Sequence, residues 1–571
     1  MSTKKIKQLS YGNADFHSIR TEDCVYVDKT RFIELLEQEN NSSQIFIRPR
    51  RFGKSLFLST LQYYYDVNYA DEFEQLFGDL YIGQHPTPRK NSYAVMEFDF
   101  SGLDTSSAEN FRNSFSENVR QTVWEFLNSH KNIFPNAEQF IGQIPREKAT
   151  LSILNIAFNL ADEAKIKIVV LIDEYDHFAN DLIVRKSEVG EDFYEKVIIT
   201  SGVVRIFYEK LKSATDRGII DRTFITGISP IILEDIIVSY NIATNYSFKL
   251  QYNEMLGFTH NDVNKLMDTL GIDKKQFGVD IENYYNGYQF NGKAVNKVYN
   301  PTMILYSFDQ ILTSNELPEN LIDPNLSIDP KRLVQNEGNR NILIQIIKNG
   351  SIVSTILEKF SIDHLNNDSH FISLLFYMGL LTIKEPYLSE LRLVIPNYSI
   401  QQVYWEQIRQ LIEESSQLVQ INTEHLMKAI NVIALEGNIH DFIDYISQNV
   451  FRKLSDHDLQ LFDEKYIKVL LLSYLLLNNI YLPISEYETD SGRSDIFLQR
   501  NPNFPQVNYE WVWELKYCKA SAKKTEINQK RKEGLEQLNR YLNSSHLKDR
   551  PNLKSALLMF IGKDKYEIIE N

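Results

Sequence analysis

Four short runs of apolar, mostly β-branched residues constrain the fold of this chain most. Stretches with helical spacing separate them. The four runs are predicted to be buried parallel strands: Gln44–Ile47, Ala94–Phe100, Ile166–Ile172 and Thr223–Ile228. Parallel strands need long crossover connections, which helices usually supply. The pattern therefore predicts an α/β domain with a parallel sheet, and we place this domain at about residues 1–245.

The pattern changes twice after this domain. Residues 246–440 have mostly helical spacing, as in Asn261–Leu270 and Tyr404–Gln417, with one short apolar run at Leu391–Ile395. Residues 441–571 have the predicted order helix, three strands, helix, strand. A chain of 571 residues is long enough for three such units. We therefore predict an α-helical middle region and a C-terminal α/β domain.

The composition is typical of a folded protein without membrane spans. Apolar residues make up 43% of the chain and charged residues 24%, close to the average for globular proteins. The longest apolar stretch, Val469–Leu477, is much shorter than the roughly 20 residues of a membrane helix. No apolar segment follows the charged start, and two cysteines provide no disulfide framework. We expect a cytoplasmic protein with no membrane contact.

The net charge of −15 argues against a protein that coats nucleic acid through bulk electrostatics. Residues 501–571 differ from the rest, with 13 Lys and Arg against 9 Asp and Glu. This basic segment would allow local contact with nucleic acid. An ordinary solvated surface is the alternative.

The segment Ile45–Leu56 predicts a phosphate-binding loop between a strand and a helix. Gly53, Lys54 and Ser55 stand at the predicted helix start. A helix N-terminus offers unpaired N–H groups to an anion, Lys reaches the terminal phosphates, and the Ser hydroxyl binds Mg²⁺. These residues predict binding of ATP with Mg²⁺. The usual GxxxxGK[ST] pattern has Gly where this chain has Arg48. The alternative is therefore that the Gly-Lys-Ser sequence occurs here by chance and binds no phosphate.

A second segment supports a nucleotide site. The apolar run Ile168–Ile172 is followed by Asp173 and Glu174. Two carboxylates then lie at the C-terminal edge of a buried strand, where α/β sheets bind ligands. Asp173 would hold Mg²⁺ through water, and Glu174 would orient or deprotonate the attacking water. The alternative is an acidic pair that simply ends a strand.

Other polar residues near these motifs carry weaker signals. Thr226, at the end of the last predicted strand, is a candidate sensor of the γ-phosphate or else a strand cap. Arg48, Arg50 and Arg51 would contact phosphate or an adjoining subunit, since arginine suits bidentate phosphate binding. We include Arg51 among the nucleotide-binding candidates, and a subunit contact would imply a homo-oligomer. Solvated surface charge is the alternative.

A second candidate site lies in the last predicted domain. Residues 481–499 are predicted to form a hairpin, with Asp495 near the start of its second strand. In the next predicted strand, residues 508–516, alternate side chains point to opposite faces. Glu514 and Lys516 are therefore expected on the same face, close to Asp495.

This arrangement predicts metal-dependent phosphodiester cleavage. Asp495 and Glu514 would bind one or two Mg²⁺ ions, while Lys516 would position water and offset the charge on the phosphate. Glu464, on the preceding predicted helix, is a candidate extra ligand or base. The D…ExK spacing is common by chance, but its placement on adjacent strands is typical of restriction-endonuclease-like folds. A degenerate site used as a scaffold and ordinary surface charge are the alternatives.

Several motifs resemble those of one family. The sequences YVDKT, RPRRFGKS, LIDEYD, FITGIS and YYNGYQF resemble the AAA-ATPase-like family, P-loop proteins often joined to a C-terminal PD-(D/E)xK nuclease-type domain. In that family Arg commonly takes the first-Gly position, which accounts for Arg48. The sequence GRSD…WELKY resembles the family's nuclease motif. The resemblance implies a P-loop NTPase sheet, a restriction-endonuclease-like C-terminal domain, and ATP and Mg²⁺ as ligands.

The sequence as a whole predicts an ATP-regulated nuclease. The N-terminal domain would bind and hydrolyse ATP, the C-terminal domain would cut nucleic acid, and the α-rich region would couple them. The alternative is a nucleotide-switched interaction protein whose nuclease-like domain binds nucleic acid or protein without cutting. An ATP-driven oligomeric motor has less support, because no arginine finger can be assigned.

Overall fold

The chain forms two compact units in a computed structural model. The first comprises Met1–Leu312, Arg332–Ile342 and Ile352–Asn397, and the second Thr313–Lys331, Leu343–Ser351 and Tyr398–Asn571. The predicted division into three domains stays a prediction. The structure describes residues 7–134, 136–142, 144, 150–181, 202–231, 243–324, 334, 336–360, 367–416, 421–454 and 462–570.

The first unit contains a five-stranded sheet in which every described pairing is parallel. The strands are β1 (Ser43–Ile47), β2 (Ala94–Asp99), β3 (Ile168–Asp173), β4 (Ile220–Gly227) and β5 (Thr244–Asn245). Their spatial order is β2-β3-β4-β1-β5. The predicted α/β class is confirmed, and all four predicted strands lie in this sheet. The carboxyl ends of β1, β3 and β4 meet at one edge, so the motifs that follow them come together.

Helices connect and cover these strands, and the longer ones present apolar residues at helical spacing. On α2, for example, the buried residues are Phe32, Ile33 and Leu36, which join a core that contains Phe46 and Phe224. The helices of this part are α1 (Phe16–Thr21), α2 (Arg31–Gln38), α3 (Lys54–Tyr65), α4 (Phe73–Phe77), α5 (Tyr81–Gln84), α6 (Ala108–Ser129), α7 (Ala137–Ile141), α8 (Thr150–Ala164) and α9 (Val203–Asp216).

The region after β5 is mostly helical, as predicted. Its helices are α10 (His260–Leu270), α11 (Lys274–Tyr285), α12 (Pro301–Ser314), α13 (Glu337–Asn349) and α14 (Asp368–Tyr377). It also contains β6 (Phe258–Thr259) paired with β7 (Val298–Tyr299), and a sheet of β8 (Ser351–Ser354), β9 (Thr382–Tyr387) and β10 (Glu390–Val394). The sequence indicated only β10, because β8 is short and four of the six residues of β9 are exposed.

The second unit contains a mixed five-stranded sheet. Its strands are β11 (Tyr481–Thr489), β12 (Gly492–Arg500), β13 (Glu510–Cys518), β14 (Leu553–Ile561) and β15 (Lys565–Glu570), in that spatial order. Only the β13–β14 pairing is parallel. Its helices are α15 (Tyr398–Ser415), α16 (Thr423–Glu436), α17 (His440–Asn449), α18 (Glu464–Leu475) and α19 (Lys524–Leu542).

The order of α18, three strands, α19 and β14 is the predicted one, and the restriction-endonuclease-like class is confirmed. The sequence missed β15, whose six residues include Lys565, Glu567 and Glu570. Charged side chains are common on edge strands, and they hide the apolar pattern of a buried strand. Among the described residues, no helix is long and apolar enough to cross a membrane.

Candidate functional site

The phosphate-loop motif forms the turn between β1 and α3. β1 ends at Ile47 and α3 begins at Lys54. Gly53 precedes the helix with a φ of 86°. This left-handed conformation is strained for residues with a Cβ atom, so glycine fits the position.

Lys54 is buried inside this turn, with 7% of its surface exposed. Its Nζ donates to the carbonyl oxygens of Arg48 and Pro49, at 3.0 Å each. Burial lowers the pKa of Lys54, and the charge of Asp173 opposes this shift. Carbonyl dipoles are weaker partners for an ammonium group than a charged oxygen, so a phosphate would compete well for Lys54.

The ends of β3 and β4 place Asp173 and Thr226 against this turn. Asp173 Oδ1 accepts a hydrogen bond from the Thr226 hydroxyl and one from the Glu174 N–H at 2.9 Å. Burial raises the pKa of Asp173, while hydrogen bonds from Ser55 and Thr226 lower it. The structure thus brings Ser55, Asp173 and Thr226 together beside Lys54.

Glu174 lies next to these residues in a strained backbone conformation. Its φ is 49°, which is unusual for a residue other than glycine. Its Oε2 lies 2.9 Å from Nδ1 of His177. This hydrogen bond lowers the pKa of Glu174 and raises that of His177. Strain of this kind is often found at functional sites.

Arg48 does not have either role that the sequence predicts for it. Its side chain is buried and donates to the carbonyl oxygens of Ile47 and Ser247 at 2.9 Å and of Tyr252 at 3.2 Å. The guanidinium carbon lies 3.9 Å from the centre of the Phe290 ring. The expected contact with phosphate or a subunit is therefore wrong for Arg48, because its guanidinium group is buried and its two terminal nitrogens donate to backbone carbonyl oxygens.

The other two arginines of the motif are exposed. Arg51 has a φ of 68° and follows Arg50 in the turn before α3. The carbonyl oxygen of Arg50 accepts a hydrogen bond from Asn300 at 3.2 Å. Nucleotide binding by Arg51 stays a prediction.

Three acidic residues that sequence reasoning missed lie beside the predicted ones: Asp15, Glu97 and Asp99. They line a cavity of about 330 Å³ together with Ala14, Ser55, Ser59, Gln62, Ser101, Asp173 and Glu174. Burial and the charge of Asp173 raise the pKa of Glu97 to about 7. Asp99 pairs with Asp173 in the strand register. The alternation of acids at the end of the second predicted strand is the signal that would have found Glu97 and Asp99.

We expect Glu97→Gln to remove part of the pH dependence of stability. The pKa of Glu97 is 4.5 as an ordinary side chain and about 7 in the fold. The folded state therefore binds a proton that the unfolded state releases, and stability falls as pH rises from about 4.5 to above 7. At about 1.4 kcal/mol per pKa unit, the share of Glu97 reaches about 3 kcal/mol.

Thermal unfolding at pH 5 and pH 8 measures this effect. The midpoint of Glu97→Gln should exceed that of the wild type at pH 8 by more than at pH 5. Glu109→Gln, which changes an exposed carboxylate on α6, should follow the wild type at both pH values. An equal gain at both pH values for Glu97→Gln would show that ionisation of Glu97 is not responsible.

In the second unit, Asp495, Glu514 and Lys516 converge where β12 lies beside β13. Asp495 Oδ2 accepts a hydrogen bond from the Leu515 N–H at 2.9 Å, which fixes the carboxylate against β13. Lys516 Nζ donates to Glu514 Oε1 at 2.7 Å and to the Leu515 carbonyl oxygen at 3.0 Å. Glu514 and Lys516 therefore share one face of β13.

Glu514 is the most buried carboxylate of this site, with 3% of its side chain exposed. Among the described residues, no hydrogen-bond donor reaches its second oxygen, Oε2. Burial, followed by the charge of Asp495, raises the pKa of Glu514 to about 7. A buried carboxylate oxygen without a partner is costly, and a bound cation would offset that cost.

Glu464 and Tyr541 border this site from the two flanking helices. Glu464 Oε2 accepts a hydrogen bond from the Tyr517 N–H at 3.3 Å, and its Oε1 lies 3.9 Å from Lys516 Nζ. Burial raises the pKa of Glu464, and the charge of Lys516 opposes this shift. Burial also raises the pKa of Tyr541, with smaller contributions from the charges of Glu514 and Asp495.

Sequence reasoning missed two further charged residues of this site, Lys468 and Glu486. Lys468 Nζ contacts the Glu486 carboxylate and lies 3.6 Å from Asp495 Oδ1. Lys468 interrupts the apolar pattern of α18 four residues after Glu464, so the two side chains share a helix face. That spacing is the signal that would have found Lys468.

The two candidate metal sites contain few converging ligands. Across the ranges that the structure describes, no three His, Cys, Asp or Glu side chains form a metal-binding group. Mg²⁺ is often held by one or two carboxylates and several waters, so Asp495 and Glu514 still fit this ion. The Oε2 atom of Glu514, which has no hydrogen-bond donor among the described residues, also fits a bound Mg²⁺.

The fold and these sites define the class of protein. The chain combines an ATPase-like domain built on a parallel sheet with a PD-(D/E)XK nuclease-like domain. Comparison with protein families agrees: residues 10–237 match the family described as "Predicted AAA-ATPase", and residues 462–570 match the "PD-(D/E)XK nuclease superfamily". The resemblance inferred from the sequence motifs is confirmed.

One curated relative is the "Uncharacterized protein in vnfD 5'region" of Azotobacter chroococcum mcd 1, which is 27% identical over 309 residues. The match covers 53% of this chain and 52% of the relative, so the chain spans about half the length of that protein. Two solved structures are also similar. The Walker-type ATPase paby2304 of Pyrococcus abyssi has 11% identity and a TM-score of 0.38, covering 70% of this chain and 99% of that one. The ORC2 protein of Aeropyrum pernix has 11% identity and a TM-score of 0.32, covering 72% and 97%.

Proposed function

We propose that this protein hydrolyses ATP in its first unit and cuts nucleic acid with Mg²⁺ in its second, and that ATP regulates the cutting. The observation that carries the nuclease proposal is the buried Glu514, whose free oxygen lies in a site shared with Asp495 and Lys516. The ATPase proposal rests on the convergence of Lys54, Ser55 and Asp173.

Each residue of the ATP site would have a distinct task. Lys54 would exchange its two carbonyl partners for phosphate oxygens. Ser55 and Asp173 would hold Mg²⁺, which neutralises phosphate charge when it is bound. Glu174, kept ionised by its hydrogen bond with His177, would orient the attacking water and accept its proton. The hydroxyl of Thr226 would report on the γ-phosphate through Asp173, and exposed Arg51 is a further candidate for phosphate contact.

The nuclease site would work through its own charged residues in a similar way. Asp495 and Glu514 would hold Mg²⁺, which supplies charge stabilisation to the phosphodiester when it is bound. Lys516 would position the water and offset the charge that develops on the phosphate. Glu464 lies close enough to Lys516 to take part as an extra ligand or base. The basic C-terminal segment would contribute local attraction for nucleic acid.

ATP would regulate cleavage through different affinities for two arrangements of the protein. This proposal requires the α-rich middle region to transmit the change. We propose the cytoplasm as the location, and a homo-oligomer as one form in which the exposed arginines of the phosphate loop would meet a neighbouring subunit.

A panel of nucleic acids tests the proposal as a whole. Single- and double-stranded DNA and RNA are each incubated with the full chain and Mg²⁺ or Mn²⁺, with and without ATP. We expect cleavage of at least one substrate that depends on the metal and changes with ATP. The second candidate function, a switch that binds without cutting, is favoured by the small number of converging ligands. Metal-independent binding without cleavage anywhere in the panel would support that alternative.

A further inference from the structure

Lys468 has an unusual position for a lysine. It lies on α18 with only 8% of its side chain exposed, in a helix whose neighbouring residues are apolar. A buried ammonium group needs charged partners to offset its loss of hydration. Glu486 and Asp495 supply them: Nζ contacts the first and lies 3.6 Å from the second. The ammonium group therefore bridges two carboxylates from neighbouring strands.

The backbone of Glu486 is adapted to this contact. The flanking pairs Ser485–Ile496 and Tyr487–Ser494 place Glu486 opposite Asp495 across the hairpin. Glu486 has a φ of 54°, within an otherwise extended strand. Such a conformation costs about 1–3 kcal/mol, so the contact with Lys468 provides a reason for its presence.

Ion pairs divide the charged residues of the site into two groups. Lys516 pairs with Glu514 and lies 3.9 Å from Glu464, whereas Lys468 pairs with Glu486 and lies 3.6 Å from Asp495. A second divalent cation at Asp495 and Glu486 would meet the positive charge of Lys468. Asp495 can contact both Lys468 and one bound cation, because a carboxylate has about four acceptor positions.

We propose that the ammonium group of Lys468 occupies the place of a second metal ion, so that the nuclease site binds a single divalent cation. Lys468 bridges Asp495 and Glu486 as a cation would, and Asp495 with Glu514 holds the one ion. This inference rests on the proposed nuclease function. It makes Lys468 a positioning residue that orients Asp495.

Counting bound Mn²⁺ tests the inference without measuring cleavage. The full chain, free of nucleotide, is titrated with Mn²⁺, and electron paramagnetic resonance measures the unbound ion. Glu514→Gln should bind one Mn²⁺ fewer than the wild type. Lys468→Met should bind one more than the wild type, and Lys468→Met combined with Glu486→Gln should lose this additional ion. Any Mn²⁺ bound in the first unit contributes equally to every variant, so it cancels when the numbers of bound ions are subtracted.

Lys468→Arg is the matched control, because it keeps the positive charge and should bind the same number of ions as the wild type. Folded Lys468→Met that binds no additional ion would overturn the inference and leave the nuclease proposal intact. Loss of two ions in Glu514→Gln would also overturn it, and this result does not depend on whether Lys468→Met folds. If Glu514→Gln loses none, the metal site itself is absent, and the proposed function fails together with the inference.

Discussion

Replacing Lys54 with alanine is expected to lower the rate of ATP hydrolysis by at least about a hundredfold, a typical effect of losing one group that stabilises transition-state charge. Lys54 is the buried cation of the turn between β1 and α3, where its Nζ is held by two carbonyl oxygens. A phosphate bound at this turn would lose its main charged partner from the loop. Phosphate release from ATP with Mg²⁺ measures the effect.

Lys265→Ala is the control for this experiment. Lys265 is an exposed residue of α10 in the same unit, so its removal should leave hydrolysis unchanged. Circular dichroism verifies that both variants fold. Wild-type turnover in a folded Lys54→Ala protein would show that the phosphate-loop assignment is wrong.

Replacing Lys516 with alanine, or Asp495 with asparagine, is expected to reduce metal-dependent cleavage of nucleic acid by at least about a hundredfold. Lys516→Ala removes the ammonium group bonded to Glu514, and Asp495→Asn removes a charge while keeping an oxygen for the Leu515 N–H. ATP hydrolysis should stay within about twofold of the wild type, because the proposed ATP site is built from residues of the first unit.

Lys428→Ala provides the comparison for these two variants, since Lys428 lies on α16 of the same unit, outside the basic segment, with 72% of its side chain exposed. It should cut like the wild type. If Lys516→Ala and Asp495→Asn cut as fast as Lys428→Ala, the D…ExK residues are not the nuclease site. If both also abolish ATP hydrolysis, the two activities cannot be assigned to separate sites.

The fold could be predicted well where a strand or helix has one clear period. The buried strand β3 is a continuous apolar run up to Asp173, and β1, β2 and β4 contain shorter apolar segments. Strand β13 alternates so regularly that Glu514 and Lys516 could be placed on one face. The edge strand β15 was missed because its charged side chains break that signal. The short-range periodicity of the sequence was therefore enough to predict most of the strands and helices.

The candidate sites could be predicted only in part, because side-chain direction and burial depend on distant contacts. Arg48 follows β1 in a motif known for phosphate, yet its partners are carbonyl oxygens about 200 residues away in the sequence, at Ser247 and Tyr252. Lys468 was missed because its carboxylate partners lie on two later strands. A local pattern can mark such a residue, as the spacing from Glu464 marks Lys468, but its contact partners follow only from the packed structure.

The cavity beside the phosphate loop has an acidic wall, which affects the form of nucleotide that the proposed ATP site would admit. Asp15, Glu97 and Asp99 line the same cavity as Asp173 and Glu174. A bare triphosphate would be repelled by these carboxylates, whereas a triphosphate already complexed with a divalent cation would carry less negative charge into the cavity. The first unit would therefore act as a filter for the magnesium complex, and its occupancy would follow the supply of free magnesium as well as that of ATP.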